Sequence, residues 1–311
     1  MITTLTLNPC VDKTITIKGF NYGGLNRVVS TRNDFSGKGI NVSIAVHQLG
    51  ERTKCLGFSY LHDSEFAEES LAKIGLDHEF IGVEGRLRTN IKIFNENDQI
   101  MTEFNEHGQP VNAEALDELK RLITAHLGYS EIIVFNGSVP LGVPEDIYRT
   151  LIEIAKKAGV KTVLDAEGEL FLEGIKAGPY LVKPNLYEFE SAFNVKVNNN
   201  QDIVRVSRKI IENGVGIVCV SLGKKGAVIV SKDEAWYAPG SDIKVRGVQG
   251  AGDSLVAGIC LAIKGRLGLD QMLRYGVAAA NASLLRDGTL LCTLDDFRKM
   301  LAQVSVERVD F

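Results

Sequence analysis

Apolar positions follow two alternating rhythms along the chain. Short apolar runs bounded by polar residues or glycine predict strands at residues 2–7, 53–58, 131–135, 161–164, 180–182, 217–220 and 227–230. Between them, apolar residues recur every three or four positions, which predicts helices at 39–49, 64–74, 144–158 and 202–213. Gly50 and Gly75 stand just beyond the first two helices, where a left-handed residue closes the last turn. The C-terminal third is helical, at 252–264, 269–285 and 294–303. Strands alternating with helices call for a mostly parallel sheet covered on both faces. The expected class is therefore α/β, with three layers, αβα. Residues 13–35 and 88–106 break the rhythm: they are strand-like, polar at alternate positions, and read as having no helices after them. They predict a small sheet inserted in a single 311-residue domain, either a lid over a site or an extra edge hairpin.

Composition changes this picture little. A hydrophobic fraction of 45% can fill a core of this size. Acids exceed bases by 39 to 35, a net charge of −4, which argues against a non-specific grip on nucleic acid but leaves a local basic pocket open. The cysteines Cys10, Cys55, Cys219, Cys260 and Cys292 are odd in number and form no C-x-x-C pair, so they read as buried thiols of a reducing compartment. The opening MITTLTLNP lacks a basic leader, and the apolar stretch at 255–263 is too short to cross a bilayer. These features predict a cytoplasmic chain with no membrane partner.

Five local patterns carry candidate chemistry. In GAGDSLVAG (250–258) small residues precede Asp253 and a helix follows at once. A helix N-terminus presents unpaired amides and the positive end of its dipole, and glycine lets an anion approach. Gly250, Ala251 and Gly252 could therefore border an anion, with Asp253 placed to take a proton; the alternative is an Asp that caps the helix. GKGINV (37–42) would bring Gly37, Lys38 and Gly39 to a sugar or phosphate, or form a tight turn with a solvated lysine. KPNLYE (183–188) puts Asn185 and Glu188 on one helix face, suited either to hydrated Mg²⁺ or to an Asn cap with a first-turn Glu. SLGKKGA (221–227) could lie along a nucleotide or be a plain hairpin turn. Arg27, Arg86 and Arg88 lie in or beside the two irregular segments and could hold a phosphate. No G-x-x-x-x-G-K-[ST] string occurs, and GKGINV lacks the third glycine of a dinucleotide fingerprint.

Taken in order, these patterns resemble the PfkB (ribokinase-like) carbohydrate kinases over essentially the full length. LNPCVDKT (7–14) is similar to the start of the phosphofructokinase–tagatose-phosphate kinase branch, and SGKGINV and VQGAGDSLVAG are similar to the two family signatures. The resemblance implies a ribokinase-like fold and an ATP-dependent, Mg²⁺-assisted kinase. It implies Asp253 as base and Gly250, Ala251 and Gly252 with the Asp253 amide as anion hole. Asn185 and Glu188 would organise Mg²⁺ through water. Lys183, Asn185, Ser221, Gly223, Gly226 and Asn281 would border ATP. Asp12, Gly37, Lys38, Gly39 and Asn41 would hold sugar hydroxyls. Arg88 and Ser138, the latter in NGSVP (136–140), would hold the existing phosphate. Arg27 sits where lid cations sit, and a homodimer through the lid is implied. The resemblance breaks at Gly247, Val248 and Gln249, where the family carries Ser-Thr-Val or a close variant, so hydroxyls expected near the nucleotide phosphates are missing.

RTNIKI (88–93) followed by TEFNEHG (102–108) is most similar to the 1-phosphofructokinases within the family. The implied substrate is a phosphorylated ketohexose, fructose 1-phosphate first, with tagatose 6-phosphate and fructose 6-phosphate as rivals. A non-catalytic sugar-phosphate sensor is the alternative from another class.

Overall fold

The computed structural model describes residues 1–247, 249–286 and 291–310. The main sheet has ten strands. Seven are parallel: β1 (Ile2–Thr6), β4 (Thr53–Tyr60), β5 (His78–Val83), β8 (Ile132–Asn136), β9 (Lys161–Asp165), β10 (Leu181–Val182) and β11 (Ile217–Ser221). The antiparallel β12 (Gly226–Val230), β13 (Ala235–Pro239) and β14 (Glu307–Arg308) extend one edge. Their spatial order is β14-β13-β12-β11-β10-β9-β8-β1-β4-β5. The parallel strands are nearly continuous apolar runs, as burial on both faces requires.

Helices cover both faces. Helices α2 (Ser64–Ile74), α3 (Ala113–His126), α4 (Ile147–Lys157), α5 (Gly168–Lys176), α6 (Leu186–Phe193) and α7 (Asn200–Glu212) bury their apolar stripes in one core. Helices α1 (Lys38–Gln48), α8 (Ala251–Lys264), α9 (Leu269–Leu284) and α10 (Leu294–Gln303) form the other. Helices α8 and α9 press together at Gly258, where an added Cβ would stand 2.3 Å from the carbonyl oxygen of Tyr275. The three-layer αβα class expected from the pattern is the one observed.

The two irregular segments form a four-stranded sheet, ordered β3-β2-β6-β7, from β2 (Cys10–Ile17), β3 (Val28–Ser36), β6 (Arg88–Asn95) and β7 (Ile100–Asn105). They do not lack helices, as the pattern suggested: β3 runs into α1 almost at once, and α3 follows β7. The amphipathic α3 and the short α5 went unseen in the sequence. Register sorts the lid's residues by face. Asp12 pairs across from Asp34 and Asn90, and Lys92 from Glu103, so polar residues share the face turned to the main body. Ile91 lies across from Phe104, and Asn95 from Ile100, on the other face. No helix among the described residues is long and apolar enough to cross a membrane.

Candidate active site

The chain leaves β1 toward β4 and β5 on one side and later returns to lay β8 on the other. In such sheets the crevice beyond the strands' carboxyl ends, where the order reverses, is where ligands bind. A cavity of about 430 Å³ opens there, lined among others by Asn8, Lys38, Arg88, Asn136, Ser138 and Glu167. Two of the expected phosphate-holding residues, Arg88 and Ser138, thus meet Lys38 at one cavity. Among the described residues, the Arg88 guanidinium is fixed by neutral oxygens: the carbonyls of Asn8 and Glu106 and the Oδ1 of Asn90. No carboxylate among these partners offsets its charge.

Asp253 is the third residue of α8. Gly250 caps this helix in a left-handed conformation (φ 70°), and no side chain takes the first amides. The capping alternative for Asp253 is therefore not realised. Its Oδ2 instead accepts from Asn41 Nδ2 at 2.8 Å, across from α1. Burial pushes the Asp253 carboxyl up to about 6; Lys38 opposes this and the Asp165 charge adds to it.

Asp165, at the end of β9, is 1% exposed and faces two cations, Lys38 Nζ at 3.2 Å and Lys183 Nζ at 3.4 Å. Burial works against its charge, but Lys183 and Lys38 together hold its carboxyl below the usual range. Lys38 is thus an ion-paired lysine at the cavity wall, its side chain 37% exposed, and not a free turn lysine. Burial would weaken its proton affinity, yet Asp165, Asp253 and Glu188 raise its pKa.

A second cavity of about 290 Å³ adjoins the start of α8 and is lined among others by Ser221, Gly223, Gly226, Ala251, Gly252 and Asn281. It gathers six of the expected nucleotide and anion-hole residues from three distant sequence segments. The same SLGKKGA segment is also the β11–β12 hairpin turn. Asn281 Nδ2 donates to Ser241 Oγ at 2.8 Å.

Other expected residues stand apart. Asn185 and Glu188 form a reciprocal capping box at α6, each backbone amide donating to the other's side chain at 2.8 and 2.9 Å. No cluster of three or more His, Cys, Asp or Glu able to hold a metal occurs among the described residues. The metal reading therefore fits only as indirect contact with a hydrated ion. Asp12 lines neither cavity; it is 3% exposed and accepts from Lys92 Nζ at 2.8 Å and Asn90 Nδ2 at 3.1 Å. Arg27 is exposed on the β2–β3 connection and lines neither cavity, and Arg86 is exposed as well. Gly37, Gly39 and Asn41 open α1 beside Lys38, and Gly39 lies against β1, where a Cβ would stand 2.3 Å from the Leu5 carbonyl oxygen.

Two of the residues at which the chain departs from the family pattern face elsewhere. Gly247 and Gln249 line a cleft of about 700 Å³ between the lid's inner face and the main body. Val248 lies outside the described residues.

Asp165, Lys92, Asn8 and Asn136 escaped the sequence reading. Asp165 and Asn136 each end a strand of the parallel sheet, a position that marks the ligand crevice once the sheet is assigned.

A family model for the pfkB family carbohydrate kinase matches residues 5–296. The chain is 33% identical to the 1-phosphofructokinase of Borreliella burgdorferi over 99% of both chains. It is 29% identical to the tagatose-6-phosphate kinase of Staphylococcus epidermidis, over 99% of this chain and all of that one. Among solved structures, the phosphofructokinase-2 of Escherichia coli in complex with substrates and products superposes with a TM-score of 0.91, at 28% identity over 97% of this chain and 98% of that one.

Proposed function

Because the chain belongs to the pfkB family of carbohydrate kinases, we propose that it transfers the γ-phosphoryl group of ATP to fructose 1-phosphate, giving fructose 1,6-bisphosphate and ADP. The observation that carries the transfer is Asp253, a buried carboxylate with its pKa raised to about 6, set in the first turn of α8, which has no side-chain cap. Asp253 takes the proton of the acceptor hydroxyl. The alkoxide oxygen bonds to the γ-phosphorus as the bond to the ADP oxygen breaks. The amides of Ala251, Gly252 and Asp253, freed by the Gly250 turn, take the charge on the migrating group. Ser221, Gly223, Gly226 and Asn281 border the nucleotide, and Lys183, paired with Asp165 at 3.4 Å, stands beside Gly252 at the start of α8.

Lys38, Arg88 and Ser138 hold the sugar's existing phosphate, each charge-assisted hydrogen bond contributing about 1.5–3 kcal/mol. Gly37, Gly39 and Asn41, at the start of α1, position the hydroxyls; Asp12 is held in the lid by Lys92, and Arg27, exposed on the β2–β3 connection, is placed to meet the site of a second copy. Bound Mg²⁺ would neutralise phosphate charge, with Asn185 and Glu188 in contact with its waters.

Fructose 1-phosphate is favoured by the RTNIKI segment and by the relatives named 1-phosphofructokinase. Tagatose 6-phosphate is the second reading, supported by the kinase relative of that name. Comparing ADP release with fructose 1-phosphate, tagatose 6-phosphate, fructose 6-phosphate and fructose decides between them. A kcat/KM at least tenfold higher for fructose 1-phosphate, about 1.4 kcal/mol of transition-state discrimination, is the expected result. A preference for tagatose 6-phosphate would overturn the substrate and keep the chemistry. Absence of turnover with every sugar phosphate would favour the sensor.

The working form we propose is a homodimer. Ile100 and Phe104, 58% and 54% exposed, present an apolar patch on the lid's outer face, with two unpaired sheet edges beside it. A second copy related by a two-fold axis offers the same patch in return.

A further inference from the structure

The cavity between β1 and β8 contains two asparagines whose side-chain hydrogen-bonding capacity the described residues leave unused, wholly at Asn136 and at the Oδ1 of Asn8. Asn136, the last residue of β8, is 1% exposed and lines the cavity, and neither its Oδ1 nor its Nδ2 has a partner among the described residues. A buried amide without partners is costly unless a ligand or water completes it. Its backbone is held in place: Tyr148 Oη donates to the carbonyls of Asn136 and Gly137, each at 3.0 Å. Asn8, beyond the end of neighbouring β1, is 6% exposed and lines the same cavity. Its Nδ2 donates to Ser138 Oγ at 3.1 Å, while its Oδ1 meets no donor.

These bonds divide the cavity by chemistry. Ser138 accepts from Asn8, so its own proton is available to an acceptor such as phosphate, next to the cations Lys38 and Arg88. A phosphate oxygen has no proton for the Oδ1 atoms of Asn8 and Asn136. A sugar hydroxyl both donates and accepts, which is what the two amides lack. We propose that Asn136, with Asn8 beside it in the cavity wall, is a specificity-determining residue that takes one ring hydroxyl of the ketohexose phosphate, Oδ1 accepting and Nδ2 donating. The inference rests on the kinase reading above. A site built to hydrogen-bond a hydroxyl rejects analogues lacking or misplacing it more strongly than an apolar wall does.

The test compares wild type with Asn136→Leu, close to isosteric, and Asn136→Ser. Each is assayed on fructose 1-phosphate, tagatose 6-phosphate and fructose 1-phosphate analogues lacking a single ring hydroxyl. Wild type is expected to penalise one deoxy analogue at least tenfold more than the others, and Asn136→Leu to lose that distinction while keeping its KM for ATP. In wild-type protein, the Asn136 side-chain amide resonances are expected to shift on adding fructose 1-phosphate and not on adding inorganic phosphate. If neither variant folds, that NMR result alone decides. Equal losses on every sugar and analogue, or amide resonances that ignore the sugar because ordered water holds the amide, would overturn the proposal. Wild-type turnover with unaltered discrimination in the variants sinks this inference alone; wild-type protein that phosphorylates no sugar phosphate sinks the kinase reading and this one with it.

Discussion

Asp253 couples catalysis to stability with opposite signs. Its carboxyl holds a proton up to about pH 6 in the folded protein against an ordinary value of 3.8. Between those values the folded state binds more protons than the unfolded one, so its contribution to stability is greatest below pH 3.8 and is lost as pH rises to about 6. Above that, the buried charge costs about 3 kcal/mol. Asp253→Asn is therefore expected to lower kcat by about 10²–10⁴-fold with ATP binding retained. The same variant should melt at a higher temperature than wild type at pH 8, and the gap should close toward pH 4. Wild-type kcat/KM should fall tenfold per pH unit below about 6. Wild-type-like turnover in the variant would remove Asp253 from its role. Lys92 makes a contrasting case. Lys92→Met leaves the buried Asp12 carboxylate unpaired, an expected loss of about 3–5 kcal/mol in urea unfolding; a loss under 1 kcal/mol would mean that water replaces the ammonium. Both GAGD and GKG were legible because their chemistry lies in adjacent residues. Asp165 and Lys92 were not, because each matters only through a partner far away in sequence, Lys38 and Lys183 for one and Asp12 for the other.

At the scale of elements, hydrophobic rhythm revealed six of the seven parallel strands and most helices because each element buries its own stripe, and it missed the half-exposed edge strand β5. It failed where burial is partial. Helix α3 has only four buried positions, Ala115, Leu116, Leu119 and Ile123, among many charges, and α5 spans nine residues with two. Strands β13 and β14 lie at the antiparallel edge, one carrying Pro239 and the other two exposed residues. The KPNLYE spacing was read correctly as one helix face, yet the capping box that uses it is a local device of the α6 terminus. The α8–α9 contact depended on a glycine that no periodicity marks. Gly258→Ala should force the two helices apart, costing about 1–3 kcal/mol, visible as a lower midpoint in thermal unfolding. An unchanged midpoint would show that the pair can slide to absorb a methyl group.

At the scale of the molecule, the site is built where two sheets meet. The polar inner face of the lid turns toward the main body, and its outer face exposes Ile100 and Phe104. Phe104→Asp should convert the dimer to monomer in sedimentation velocity and weaken sugar-phosphate binding more than ATP binding, since only the sugar is expected to meet a lid residue from the neighbour. A wild-type monomer at micromolar concentration would remove the lid-mediated assembly.

The order in which the chain lays down the lid has a kinetic consequence. Strand β2 lies alongside β6 with Cys10 opposite Arg88, and everything between them except β3 belongs to the main body: α1, β4, α2 and β5. Closing that pairing before the intervening segment has folded would cost a long loop's entropy with little return. The lid should therefore assemble last in refolding and come apart first under mild denaturant. Amides of β3 and β7, held from one side only, should exchange with solvent by a local opening that leaves β1, β4 and β8 protected.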